Sequence, residues 1–122
     1  MILADSSLWI DHFRKPVPGL LERIESGEIV CHPFVVGELA AGSLHPHHRI
    51  ILLLRSLRSL NQVSNTDFFD FLEVEELNGR GLGFVDIHLL ASIAKTPPAS
   101  LWTGDRRLRE QAERLGLSFT PD

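Results

Sequence analysis

The chain has no tyrosine, one cysteine and no apolar run longer than five residues. Each shortage closes off a class of protein. The single cysteine, Cys31, allows no internal disulfide, and its place in the apolar stretch EIVCH reads as a buried thiol suited to a reducing compartment. A membrane-spanning helix needs roughly 18 apolar residues, and the longest run here, IILLL at 50–54, is followed by Arg55 and Arg58. The start, MILADSSLWIDHF, lacks the basic beginning and long apolar middle of a signal peptide, so the expected location is the cytoplasm, with no membrane partner. Positive charge is also short: 12 Lys and Arg stand against 16 Asp and Glu, a formal net charge of −4. That argues against general attraction to nucleic acid and leaves phosphate binding to local arginine clusters. With tyrosine absent, and Phe68, Phe69 and Phe71 reading mostly as core, aromatics for stacking bases are few.

What is present reads as one α/β domain over residues 1–122. That length builds a core without disulfides or a structural metal, and 43% hydrophobic with 23% charged residues is a globular composition. MILA predicts a strand ending at Asp5, followed by a helix over SSLWIDHF. A second helix over GLLERIES, closed by Gly27, precedes a short strand in EIVCH, and Pro33 can open a helix over PFVVGELAAG. HPHHRIILLLRSLRSL predicts a long amphipathic helix, NQVS a third strand, and TDFFDFLEVEELNGRG a helix capped by Asn65 or Thr66. The helix GFVDIHLLASIA follows, then the strand LWT, a helix from about Arg106 to Leu115, and a last strand LSFT. Short strands alternating with helices imply crossover connections and a mostly parallel sheet covered on both faces.

Four acids stand out against this pattern. Asp5 directly follows the first strand, and Asp105 follows LWT by two residues, so both belong at the C-terminal sheet edge, where ligands bind in open parallel sheets. Glu38 shares a helical face with Val35, Leu39 and Gly42, which points it inward. Asp86 shares a face with Leu89 and Leu90, whereas His88 falls off that stripe and reads as a surface or half-buried residue. Each acid also has a purely structural account. Asp5 or Ser6 and Asp105 can cap helices, Asp86 suits a first-turn dipole, and Glu38 can reach water from the stripe's edge.

Those separate accounts do not explain the set. Carboxylates gathered together repel unless a cation holds them, and an all-oxygen set suits Mg²⁺ or Mn²⁺. Such ions activate water and neutralise a phosphoryl group under attack, which makes a metal-dependent phosphodiesterase the natural hypothesis. A zinc site at HPHH, residues 45–48, lacks a matching His or Cys pair at metal-site spacing, and a helix start after a turn explains it as well. A phosphoaspartyl phosphatase of the dehalogenase type would carry a second aspartate where Ser7 stands. Arg55 with Arg58, and Arg106 with Arg109, are spaced three apart, so each pair is expected on one helix face.

The order ILADSSLWIDHF, VVGELAAG, GFVDIHLLASIA and LWTGDRRLREQAERLGL resembles the PIN-domain family, and specifically the VapC-type toxins of toxin–antitoxin pairs. The resemblance covers nearly the whole chain. It implies a three-layer α/β/α fold, an Mg²⁺- or Mn²⁺-dependent endoribonuclease acting on RNA by water attack, a homodimer, and a cognate antitoxin that silences it. Carried over by position, the family's acidic site falls on Asp5, Glu38, Asp86 and Asp105, with Ser6 and Thr103 as small polar neighbours. Asp5, Asp86 and Asp105 would hold metal and Glu38 would position or deprotonate the water. Arg107 stands where many relatives have a further acid, which weakens support for a second metal and offers a phosphate contact. Trp9, Phe13, Leu20, Leu21 and Ile24 are read either as a groove for the antitoxin or as core. The alternative is a catalytically silent interaction module that keeps the fold and the partner surface, and retention of all four acids argues against it.

Overall fold

The computed structural model describes residues 1–121. Its elements run β1 Ile2–Ala4, α1 Ser6–Arg14, α2 Leu20–Glu25, β2 Ile29–Val30, α3 Pro33–Ala41, α4 His47–Ser56, α5 Asn65–Val74, α6 Phe84–Ala94, β3 Ser100–Trp102 and α7 Arg106–Arg114. The three strands form a parallel sheet in the order β2-β1-β3, with Leu3 opposite Val30 on one side and Leu101 on the other. Successive strand residues point to opposite faces, and all three residues of β1 are buried. Both faces are therefore covered, as in a three-layer α/β/α arrangement. A continuous apolar strand is what that position demands.

Two expected strands contract. NQVS forms none; the sheet is instead extended by a bridge from Cys31 to Ser59, where Leu60 N–H donates to the Cys31 carbonyl at 2.9 Å. The reason is the length of α4. It stops at Ser56 and Leu57 is already extended, so the chain reaches the sheet edge earlier than a helix running to Leu60 allows. Arg58 consequently leaves the helix and shares no face with Arg55. LSFT likewise reduces to one bridge, Leu101 to Ser118. Helix α5 is capped by Ser64, whose Oγ accepts from Asp67 N–H, one residue before the expected caps. It ends at Val74, followed by Glu76 at φ 53, and buried Leu77 turns back into the core.

Helix α6 lies between two apolar clusters. Leu89, Leu90 and Ile93 face the main core with β1 and β3, while Ile87 and Ala91 pack with Val63, Phe68 and Leu77. A helix apolar nearly all round is buried nearly all round. This overturns the reading of His88, which is fully buried although it lies off the first stripe. Phe68 is core, Phe71 is half-buried, and Phe69 is exposed, contrary to its assignment to the core. Among the described residues no helix is long and apolar enough to cross a membrane.

Candidate active site

Three helices begin near the C-terminal ends of β1 and β3, each with an aspartate at its first turn. Asp5 directly follows β1 and caps α1, its Oδ1 accepting from Leu8 N–H at 3.0 Å. Asp105 caps α7 in the same way through Leu108 N–H at 3.0 Å. Asp86 is the third residue of α6 and accepts from Gly83 N–H on Oδ2 at 3.0 Å. The capping account of Asp5 and Asp105 is correct, and Asp86, expected to suit the helix dipole, also caps its helix start. Capping also fixes where each carboxylate stands, and helix N-termini are sites that favour negative charge.

Asp5 is the buried member, and its carboxylate organises the loop after β3. Ser7 Oγ donates to Asp5 Oδ1 at 2.7 Å and Thr103 Oγ1 donates to Asp5 Oδ2 at 2.5 Å. Each hydroxyl has one proton, so both are spent on Asp5, and the 3.2 Å contact between the two hydroxyls carries none. Their lone pairs then accept from the backbone: Gly104 N–H donates to Ser7 Oγ and Asp105 N–H to Thr103 Oγ1, both at 3.0 Å. Two parallel relays from amide to hydroxyl to carboxylate thus hold the turn that presents Asp105. Ser7 was passed over as a functional residue in the sequence. Its signal was a hydroxyl two residues after the strand-end acid, noticed only as a missing aspartate.

Glu38 does not point inward. The buried residues of α3 are Val35 and Leu39, and Glu38 is exposed at the rim, where Ser6 Oγ donates to its Oε1 at 2.7 Å. The short span from Val35 to Leu39 leaves Glu38 beside the stripe, with its carboxylate in water. Ser6 thereby fixes one oxygen of Glu38.

The four carboxylates act on one another electrically. Burial pushes the Asp5 pKa up, and Asp86 adds to the rise. Burial likewise raises Asp86, with further contributions from Asp105 and Glu38. Asp86 is thus coupled to all three others. Among the described residues none of the four forms an ion pair with Lys, Arg or His. Nor, as the side chains lie, do three His, Cys, Asp or Glu groups among those residues converge closely enough to enclose an ion. The donor set still fits Mg²⁺ or Mn²⁺, because it is oxygen only, electrically uncompensated and half open to water. Glu38, Asp86 and Asp105 each spend one oxygen on an internal bond and keep the other without a hydrogen-bond partner among the described residues. Mg²⁺ keeps several waters and uses few direct carboxylates, so a loosely spaced set suits it.

Cavities flank this group on two sides. Asp105 borders an open cleft of about 610 Å³ together with Gly81, Arg106, Arg107 and Glu110. Glu38 borders a second of about 370 Å³, otherwise apolar and lined by Phe34 and Phe84 among others. Arg107 packs against Gly81, which is at φ +81 and has no room for a side chain there.

No family model matches the chain. Two curated proteins do, Ribonuclease VapC32 from Mycobacterium tuberculosis strains CDC 1551 / Oshkosh and ATCC 25618 / H37Rv; each is 37% identical over 122 residues, all of this chain and 98% of the relative. The chain belongs to the PIN-domain VapC toxin family. A crystal structure of PAE2754 from Pyrobaculum aerophilum shares the fold, with a TM-score of 0.60 at 18% identity over 93% of this chain and 85% of that one. In this VapC-family chain HPHH serves the backbone: α4 starts at His47, whose Nε2 donates to the Ala40 carbonyl at 2.8 Å. Trp9 and Leu20 are fully buried core, and of the apolar groove residues Leu21 alone is mostly exposed.

Proposed function

We propose that this VapC-family protein is a metal-dependent endoribonuclease toxin, a single domain acting on RNA in the cytoplasm as a homodimer and neutralised by a cognate antitoxin. The observation that carries this reading is the set of carboxylates Asp5, Asp86 and Asp105, each fixed at a helix start, with Glu38 held by Ser6, and none of them paired with a basic side chain among the described residues. A ribonuclease relative aligned over the full length supports the substrate class. Asp5, Asp86 and Asp105 would hold Mg²⁺ or Mn²⁺, directly or through waters, with Glu38 beside them. Such an ion, when bound, lowers the pKa of water and offsets the negative charge of a phosphoryl group.

The remaining work falls to side chains. Ser7 and Thr103 donate to both oxygens of Asp5, which favours its ionised form and partly offsets burial. Glu38, fixed through one oxygen by Ser6, keeps its other oxygen free to orient and deprotonate the attacking water. Arg107, in the cleft beside Asp105, contacts the phosphate backbone. Attack by water leaves a 5′-phosphate and a 3′-hydroxyl. The test is mapping of RNA ends after incubation with the purified protein, with and without EDTA, beside Asp5→Asn. Cleavage that persists in EDTA, or in Asp5→Asn at the parental rate, removes this reading.

A further inference from the structure

Phe84 is 58% exposed, an unusual position for a large apolar ring in the first turn of an otherwise buried helix. It is nevertheless held firmly. His88 packs edge-on against it at 4.6 Å and Phe68 backs it at 5.0 Å between centroids. Phe34 of α3 lies nearly parallel to it, with centroids 6.1 Å apart and planes 29° apart. The two rings line the 370 Å³ cavity, whose floor is the Pro33 to Gly37 turn of α3 and whose charged residue is Glu38. A methyl group built on Gly37 would meet nothing within 4 Å, so the cavity is open at that point.

The charge around the carboxylates is asymmetric in a way that matches one nucleotide. On the Asp105 side stands the cleft in which Arg106 is paired with Glu110 and Arg107, without an ion pair among the described residues, is the cation left to meet phosphate. On the Glu38 side stands an apolar slot with two aromatic faces, complementary to a flat ring. Glu38 borders both the slot and the acidic group, and Asp86 is two residues from Phe84. A ring seated in the slot therefore belongs to a nucleotide next to the bond being cut.

We propose that the Phe34–Phe84 slot is a base-binding subsite, in which one unpaired nucleobase of the RNA strand stacks on Phe84 beside the scissile phosphate. The proposal rests on the ribonuclease reading for its substrate. The slot's size is that of a small-ligand pocket, and stacking accepts any base face, so it supplies affinity for single strands.

The test is direct binding, which does not depend on cleavage. A labelled oligoribonucleotide made resistant to cleavage is titrated by fluorescence anisotropy, beside a series in which each base in turn is replaced by an abasic site. With the parent protein, one abasic position is expected to weaken binding about tenfold, the size of a lost base–aromatic stack. Phe84→Ala and the cavity-filling Gly37→Leu should each weaken the intact strand by a similar factor and erase the penalty at that position, while Phe84→Trp restores both. Circular dichroism and light scattering establish that the variants are folded and of unchanged assembly. If no abasic position matters, or if the variants bind every strand as the parent does, the subsite is wrong. Conversion of a dimer to a monomer by Phe84→Ala also overturns it, because the slot is then covered by a second copy. Base-dependent binding by a protein that never cuts RNA would uphold the subsite and defeat only the nuclease reading.

Discussion

Thr103 and Asp5 are 98 residues apart in the chain, yet the Thr103 hydroxyl donates to the Asp5 carboxylate at 2.5 Å. The bond joins the ends of the neighbouring strands β1 and β3, and through the Asp105 N–H that Thr103 accepts it fixes the turn into α7. One buried acid thereby sets the position of another.

That burial has a cost in the metal-free protein. The folded pKa of Asp5 lies above its ordinary 3.8, so stability is lost as pH rises from the unfolded value through the folded one. Asn keeps the cap on Leu8 N–H and removes the charge. Asp5→Asn is therefore expected to raise the melting temperature of the metal-free protein while abolishing RNA cleavage. Thermal melts in EDTA check the first half; a lower melting temperature would show that the hydrogen bonds outweigh the burial.

Mg²⁺ or Mn²⁺ should raise the melting temperature of the parent, since a ligand bound only by the folded state stabilises it. Protons compete at Asp5 and Asp86, whose pKa values are both raised, so the stabilisation shrinks as pH falls and does so above the ordinary carboxylate range. Asp86→Asn should lose most of the effect. A melting shift independent of pH and of Asp86 contradicts metal binding at these acids.

Ser7→Ala removes a donor to Asp5 and leaves the Gly104 N–H without its partner. The expected destabilisation is about 1–2 kcal/mol, with slower cleavage as Asp105 loses its fixed position. Ser7→Thr keeps the hydroxyl and should recover activity in the same assay. Equal rates for Ser7→Ala and the parent would reduce Ser7 to a surface contact.

Beneath the site, His32 Nδ1 accepts from Phe34 N–H at 3.0 Å, which leaves Nε2 protonated and donating to Ser92 Oγ at 2.9 Å. Both nitrogens are used by the neutral ring. Burial, aided by the nearby His88, pushes its pKa down from 6.5 to about 4. The unfolded chain takes up a proton in that window and the folded ring does not, so the His32 contribution to stability falls as pH drops from 6.5 towards 4, by on the order of 3 kcal/mol, against the opposite contribution of Asp5 and Asp86. Denaturant titrations across that range should show the slope, and His32→Asn, which can still cap α3, should flatten it.

Asp5 and Asp105 were legible because strand ends and capping positions are local features. Asp86 was legible through its odd place on an apolar stripe. Glu38 was found by the same argument and found with the wrong orientation, since a helical period gives a residue's face to within a fraction of a turn and the rim of a core is narrower than that. His88 was misplaced for the opposite reason. One stripe was visible, but α6 has cores on two sides.

The chain's order of apolar runs, caps and turns determined the alternation of strand and helix and put an acid at each decisive turn, because these depend on neighbours within a few residues. Only the tertiary structure decided that Ser7 and Thr103 meet on Asp5, that Ser6 holds Glu38, and that Phe84 stays uncovered within the described chain. Ser6 with Glu38 and Thr103 with Asp5 join residues 32 and 98 positions apart, and the setting of Phe84 depends on two cores closing around one helix. Periodicity carries no distance between segments; packing supplies it.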